Sequence, residues 1–344
     1  MGTTDGQANN RTNDRTNDRD DLENKGASDP SLPQPFLQRL NQIVPFQQQP
    51  AVTRWFYEPK RTSFRVNTLR GTSDEIVDRL CQQSGLARDK IVNLDWCDHA
   101  FHVAANDRSA VTHSQAASEG DIYVQGLSSV LCALMLAPQP GQWNLDMCAA
   151  PGGKATHLAQ LMGNEGKLSV VEPIKKRMYR LADNLKRQSI TIGKTYLMDG
   201  RKVGGKVPAR FDCIMLDAPC SGESRMHVRD PESFAFWSPR KIREQSRKQK
   251  GLILSAFQAL KPGGRLMYST CSFAPEENEA IVQHLLDAND QAQLVSLSIP
   301  IQNTQPGLTS FQDLQFSNQM ERACRILPND RFDGFFMALI CKVD

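Results

Sequence analysis

Two cysteines each end a short polar segment, Asp217-Ala-Pro-Cys220 and Ser269-Thr-Cys271-Ser272, and such neighbours are not what a packing thiol requires. A structural cysteine does well among apolar side chains, whereas a thiolate that attacks an electrophile needs polar groups that lower its pKa and aim it. Two such thiols with one carboxylate suit a particular problem. Carbon 5 of a cytosine ring is too poor a nucleophile to take a methyl group unaided. Adding a thiolate to carbon 6 while an acid protonates nitrogen 3 makes carbon 5 enamine-like and able to displace methyl from a sulfonium donor. Removing the carbon 5 proton and expelling the thiolate completes the cycle. That chemistry asks for a nucleophilic cysteine, a carboxyl partner and a release base, and Cys220, Cys271 and Asp217 are residues of those types. The residues alone leave open which cysteine attacks.

A donor site is suggested upstream. The segment Asp146-Met-Cys148-Ala149-Ala150-Pro151-Gly152-Gly153-Lys154 runs from a predicted strand into a predicted helix. Its small residues and two glycines let backbone approach a ligand at a helix amino terminus. Glu172 ends the next strand, twenty residues after Gly152, where a carboxylate accepts from the two ribose hydroxyls of a nucleoside. Asp199, after the third strand, is placed to accept from an adenine amino group. A nicotinamide oxidoreductase would share the ribose acid, yet the loop is not G-x-G-x-x-G and the Asp217-Ala-Pro-Cys220 segment would have no task in it.

The elements that must position these residues alternate between strand and helix after residue 120, the pattern of a parallel sheet wrapped by helices. Strands are predicted at Asn144–Met147, Leu168–Val171, Thr195–Met198, Cys213–Leu216 and Arg265–Ser269, and helices at Lys154–Met162, Ile174–Gln188, Pro239–Leu260 and Pro275–Ala288. Arg325–Leu327 and Phe335–Cys341 read as a closing antiparallel hairpin. In such sheets ligands gather at the carboxyl ends of the strands, and both cysteine segments fall there. Before this body lie an expected disordered tail, 1–35, with an Arg-Thr-Asn-Asp repeat, and a small α+β domain, 36–115. In the latter, Phe64, Val66 and Thr68 alternate with Arg65 and Asn67, like a strand with one basic face suited to a phosphate backbone. A second basic stretch runs from Arg225 and Arg229 into a helix carrying Arg240, Lys241, Arg243, Arg247, Lys248 and Lys250.

Composition sets the outer bounds. The chain has 344 residues, 40% hydrophobic and 23% charged, ordinary globular values, and its longest apolar run, near Leu131 to Ala137, is too short to span a bilayer. No basic-then-apolar leader opens it, so a soluble, cytoplasmic, monomeric protein is expected. Nine cysteines without a CxxC pair argue against a disulfide framework and a zinc site. Of six histidines only His99 and His102 have ligand-like spacing, with no second cluster to complete a metal site. The tail holds four basic against seven acidic side chains, a balance of −3, which leaves +6 on the remainder of a chain whose total is +3. A mildly basic body suits a nucleic-acid enzyme.

With these residues in hand, the chain resembles the Sun-type (Fmu-like) family of RNA (cytosine-5) methyltransferases over about residues 60 to 344. The motifs that carry the likeness are Cys148-Ala-Ala-Pro-Gly-Gly-Lys154, Asp217-Ala-Pro-Cys220-Ser-Gly and Tyr268-Ser-Thr-Cys271-Ser. The resemblance implies a Rossmann-like methyltransferase sheet over 116–344 and S-adenosylmethionine held by Cys148, Ala149, Ala150, Pro151, Gly152, Gly153, Lys154, Glu172, Asp199 and Asp217. It implies that Cys271 is the nucleophile and Cys220 assists release, that Lys154 and Asp217 also face the base, and that Arg65 to Thr68 belong to an RNA-contacting segment. RNA would be the partner, ribosomal RNA first and transfer RNA second. Glu172 stands where many members have aspartate, and Glu223 to His227 departs from the family's glycine-rich continuation. The rival from another class is a catalytically idle RNA-binding or assembly factor.

Overall fold

Short apolar runs buried on both faces form the sheets of the computed structural model, which describes residues 1, 2 and 31–344. Most of the expected tail, residues 3–30, lies outside the described residues. From Leu32 to Asp344 the chain forms one compact unit. Its amino-terminal part carries a four-stranded antiparallel sheet, β1 Thr62–Val66, β2 Val92–Leu94, β3 Cys97–Val103 and β4 Ile122–Val124, in the order β2-β3-β1-β4. All five residues of β1 are buried, so the basic face read from the sequence is not a surface. Arg65 is fully buried and donates to Gln125 Oε1 at 3.3 Å, to Thr156 Oγ1 at 2.9 Å and to Gln160 Oε1. Asn67, also buried, donates to the carbonyls of Gly120 and Gln188 at 3.0 Å. Alternation misread this strand because the side that looked solvated packs on the helix Gly153–Leu161, where a cation is tolerated only with several acceptors around it.

The larger sheet holds nine strands: β5 Trp143–Asp146, β6 Lys167–Val171, β7 Gly193–Tyr196, β8 Phe211–Asp217, β9 Leu260–Thr270, β10 Ala292–Val295, β11 Thr304–Pro306, and two that follow a two-stranded ribbon in the chain order. The ribbon is β12 Ser310–Phe311 with β13 Leu314–Gln315; the two closing strands are β14 Cys324–Ile326 and β15 Phe335–Lys342. The order is β11-β14-β15-β9-β8-β5-β6-β7, with β10 also on β15. β5 to β9 pair in parallel, while β14 and β15 join antiparallel, as the predicted hairpin requires. Leu145, Val170, Ile214, Met215 and Leu216 are fully buried, divided between two apolar clusters, one on each face of the sheet. That explains why these strands read as continuous apolar runs. The strand order reverses between β5 and β8, which opens a crevice at their carboxyl ends.

Several element ends move from their expected places, β9 beginning at Leu260 rather than Arg265. The helix predicted from Pro275 begins at Glu279, because Glu277 and Asn278 turn inward to bond Ser221 and Thr270 and draw out the first turn. The edge strand β7 ends at Tyr196, so Leu197 and Met198 lie outside it. Glu279 is then free to form a buried ion pair with Arg325, whose Nε donates at 2.7 Å and whose Nη1 donates to the carbonyl of Phe273 at 2.9 Å. Removing one partner leaves a buried charge without compensation. Arg325→Met is expected to lower the unfolding free energy by about 3–5 kcal/mol in denaturant titration. Adding Glu279→Gln to the same chain should recover part of that loss, and no recovery would refute the uncompensated charge as its cause.

Candidate active site

Parallel pairing of β8 with β9 sets Asp217 opposite Ser269, so the two cysteine segments leave neighbouring strands together. Their sulfurs lie 3.2 Å apart. The Cys220 thiol donates to Cys271, which draws the Cys271 pKa below its ordinary value; burial opposes this and the nearby Arg225 and Lys154 cations assist it. The same hydrogen bond, with burial, holds the Cys220 pKa well above normal. The pair thus favours its negative charge on Cys271 over Cys220.

Asp217 is shared by two partners. Its Oδ2 accepts from Lys154 Nζ at 2.8 Å and its Oδ1 from Ser269 Oγ at 3.0 Å. Lys154 also donates to Ser129 Oγ at 2.9 Å. Burial by itself would depress the Lys154 pKa, but Asp217, Cys132 and Asp146 outweigh it and the net displacement is upward. Asp146, at the end of β5, is buried with neither carboxylate oxygen hydrogen-bonded, and burial pushes its pKa up to about 7. It lines a cavity of about 210 Å³ with Ser129, Lys154, Asp217 and Arg225.

A second cavity, about 570 Å³, contains Cys148, Ala150, Pro151, Glu172, Asp199, Asp217, Cys220 and Cys271 in its lining. All the expected site positions thus fall along two adjoining cavities or in the turn between them. Gly152 stands at φ +117°, a left-handed conformation that other residues adopt only with strain. The turn is fixed from outside: Arg177 donates to the carbonyl of Ala150 at 2.9 Å and Asn184 to that of Pro151 at 2.7 Å. Glu172 is fully buried; Oε1 accepts from the backbone of Ile174 at 3.1 Å and from Arg177 Nη1 at 3.4 Å, while Oε2 accepts no hydrogen bond and lies 3.4 Å from the same guanidinium. Asp199 accepts from the backbone and guanidinium of Arg201 at 2.5 to 3.0 Å, so any ligand amine there must compete with that pair. Burial and the surrounding carboxylates raise the Cys148 thiol, which keeps it in the poorly nucleophilic protonated form.

Sequence reading gave Glu223 and Glu277 no role in the loop system and took Arg225 only as part of a basic stretch. Glu223 is buried and accepts from Trp237 Nε1, Ser272 Oγ and the backbone of Phe273 and Ala274 at 2.8 to 3.0 Å, holding the turn after Cys271. Glu277 accepts from Ser221 at the turn after Cys220, and burial pushes its pKa up to about 7. Arg225 lines both cavities. The available signal was the departure at 223–227 itself, acidic and basic residues where small ones were expected. Of the two histidines with ligand-like spacing, His99 lies 3.0 Å from His157 instead, and the described residues contain no group of three or more His, Cys, Asp or Glu suited to a metal. No helix among them is long and apolar enough to cross a membrane.

The chain is similar to known RNA methyltransferases. A family model described as 16S rRNA methyltransferase RsmB/F matches residues 133–341. The ribosomal RNA small subunit methyltransferase F of Vibrio cholerae serotype O1 (strain M66-2) is 35% identical over 319 residues, 91% of this chain and 64% of the relative. The chain therefore spans about two thirds, just under, of that protein's length. The tRNA (cytosine(49)-C(5))-methyltransferase of Pyrococcus abyssi is 35% identical over 295 residues, 84% of this chain and 90% of the relative. Among solved structures, a methyltransferase homolog protein from Pyrococcus horikoshii superposes with a TM-score of 0.77 at 30% identity, covering 91% of this chain and 96% of that one.

Proposed function

Because the chain belongs to the 16S rRNA methyltransferase RsmB/F family, we propose that it methylates carbon 5 of a cytosine in RNA, using S-adenosylmethionine and a transient bond to Cys271. The observation that carries the reading is the pair of thiols 3.2 Å apart beside the Lys154–Asp217 pair. Ribosomal RNA is the first expectation and transfer RNA the second, and the compartment is the cytoplasm.

The larger cavity fits a nucleoside donor: a buried Glu172 carboxylate whose Oε2 accepts no hydrogen bond and faces only the Arg177 guanidinium, a glycine turn, and a helix amino terminus. Glu172 would hold the ribose hydroxyls, the 148–154 turn the amino-acid portion, and Asp199 the base edge in exchange for Arg201. When bound, S-adenosylmethionine supplies an electrophilic methyl on a sulfonium. On the chain's side, Cys271 adds to carbon 6 as a thiolate, and the proton shared by Lys154 and Asp217 is supplied to nitrogen 3. Addition opens the carbon 5 to carbon 6 double bond and leaves carbon 5 enamine-like, able to take the methyl that the donor would supply. Cys220, having released its own proton to solvent, takes the carbon 5 proton; the double bond re-forms, nitrogen 3 returns its proton to Lys154, and the Cys271 thiolate leaves. Once Cys271 is bound to carbon it carries no negative charge, so the largest influence that keeps Cys220 protonated is gone.

The test is digestion of RNA treated with the protein and methyl-labelled S-adenosylmethionine, followed by chromatography of the nucleosides. Label in 5-methylcytidine is expected, and label in any other nucleoside, or none from a full set of cellular RNA, refutes the reading. Glu172→Gln is expected to weaken S-adenosylmethionine binding by about 10- to 100-fold in calorimetry, the range for one charge-assisted hydrogen-bonded site. An unchanged affinity would remove Glu172 from the donor site.

A further inference from the structure

A third cavity, about 740 Å³, adjoins the site and shares Val124, Gln125, Gly126 and Arg225 with the Lys154–Asp217 cavity. Six cationic side chains line it, Lys60, Arg61, Arg108, Arg225, Arg229 and Arg331, against two carboxylates, Asp230 and Asp333. Lys60 pairs with Asp333 at 2.6 Å, and Arg61 and Arg331 both lean on Asp330. Arg108, Arg225 and Arg229 have no ion-pair partner among the described residues, so the concavity holds uncompensated positive charge. Its walls are tied together: the Arg61 amide donates to the Asp330 carbonyl at 2.8 Å, the Val228 amide to the Phe56 carbonyl at 3.0 Å, and the His227 ring meets the Glu58 carbonyl at 3.2 Å.

Resting on the function proposed above, we infer that this groove is the track of the sugar-phosphate backbone on one side of the target cytosine, with Arg225 at the point where the base turns into the pocket. Two physical arguments lead there. A base attacked above its ring plane must leave its stack, so its strand has to pass the mouth of the catalytic cavity, and this groove opens directly from it. Five of the six cations are arginines, whose planar forks suit phosphate oxygens, and phosphate contacts position a strand without reading its sequence. The groove uses the loop 223–230, where the chain departs from the family pattern, and the strand β1 region through Lys60 and Arg61. The basic contact expected from Arg65 thus lies a few residues earlier in the chain.

The test is anisotropy of a fluorescein-labelled single-stranded RNA with the full chain across potassium chloride from about 50 to about 200 mM. The Arg108→Gln/Arg229→Gln double variant is expected to bind about 10-fold more weakly, and its log–log salt slope should be shallower by about 1.4, two phosphates at about 0.7 each. Lys194→Gln, on β7 and away from the groove, should match the wild type. Arg108→Lys/Arg229→Lys should recover most of the affinity, because charge is what the track supplies. A glutamine variant with wild-type affinity and slope, or a lysine variant as weak as the glutamine one, overturns the inference. Methyl transfer is measured on the same preparations. Transfer with unaltered salt slopes refutes the track and leaves the function standing, whereas a shifted slope without transfer by the wild type establishes the track and refutes the function.

Discussion

Cys271→Ala is expected to lower methyl transfer to RNA by about 10⁴-fold or more, with S-adenosylmethionine affinity within about 2-fold of the wild type. The size follows from what is removed. Without covalent addition at carbon 6, carbon 5 has no enamine character, and positioning of donor and base leaves only the uncatalysed route from an aromatic ring. A factor of 10⁴ corresponds to about 5.5 kcal/mol of lost transition-state stabilisation, within what a covalent step provides. Donor affinity should persist because the 148–154 turn is held by Arg177 and Asn184, neither of which touches Cys271. Cys271→Ser is expected to be nearly as inactive, since a hydroxyl beside the same neighbours stays protonated at neutral pH. The measurement is single-turnover methyl transfer with calorimetry of donor binding on each variant. Retention of more than about a tenth of the wild-type rate by Cys271→Ala would exclude it as the nucleophile.

Much of this site was legible because its residues lie at the ends of strands whose apolar runs identify them. β5, β6, β8 and β9 are buried on both faces, so their sequences are distinctive, and the polar residue after each run marks the crevice: Asp146, Glu172, Asp217, Cys271. Adjacency of β8 and β9 follows from the usual winding of such sheets, and it brings Cys220 to Cys271. What was not legible depends on long-range packing. Arg65 reads as a phosphate contact from its own strand; only the arrival of Thr156 and Gln160, some ninety residues later, makes it a buried cation with its own acceptors. Glu223 and Glu277 look like surface acids in sequence, yet each is buried beneath a cysteine loop and accepts hydrogen bonds from it. The late start of the helix at Glu279 has the same origin, since Glu277 and Asn278 spend their side chains on the site. Local pattern thus locates the reacting groups, and the buried polar residues that hold them are determined by elements that meet only in the folded chain.

Cys220→Ala is expected to give the opposite phenotype to loss of the nucleophile: steady-state turnover falls by about 10²- to 10³-fold while RNA accumulates on the protein as a covalent adduct. Cys271 still adds to carbon 6 and the methyl still arrives at carbon 5, but the carbon 5 proton then has no acceptor in reach and the thioether cannot be expelled. A second consequence comes from the 3.2 Å contact between the sulfurs. Cys220 is the largest cause of the lowered Cys271 pKa, so deleting it raises that pKa and leaves a smaller thiolate fraction near neutrality. Alkylation of Cys271 by iodoacetamide should therefore be slower in Cys220→Ala at neutral pH, with its rising limb moved to higher pH. Adduct formation should gain from alkaline buffer for the same reason. The decisive measurement is a denaturing gel of wild type, Cys220→Ala and Cys271→Ala after incubation with RNA and methyl-labelled S-adenosylmethionine. A labelled, RNase-sensitive band only in Cys220→Ala supports the division of labour. The same band only in Cys271→Ala would exchange the two roles, and simple loss of activity in both variants without a band would sink the covalent mechanism and favour an idle RNA-binding protein. Because the adduct carries the target nucleotide, sequencing the protected RNA from that band also identifies which cytosine the groove beside Arg225 presents.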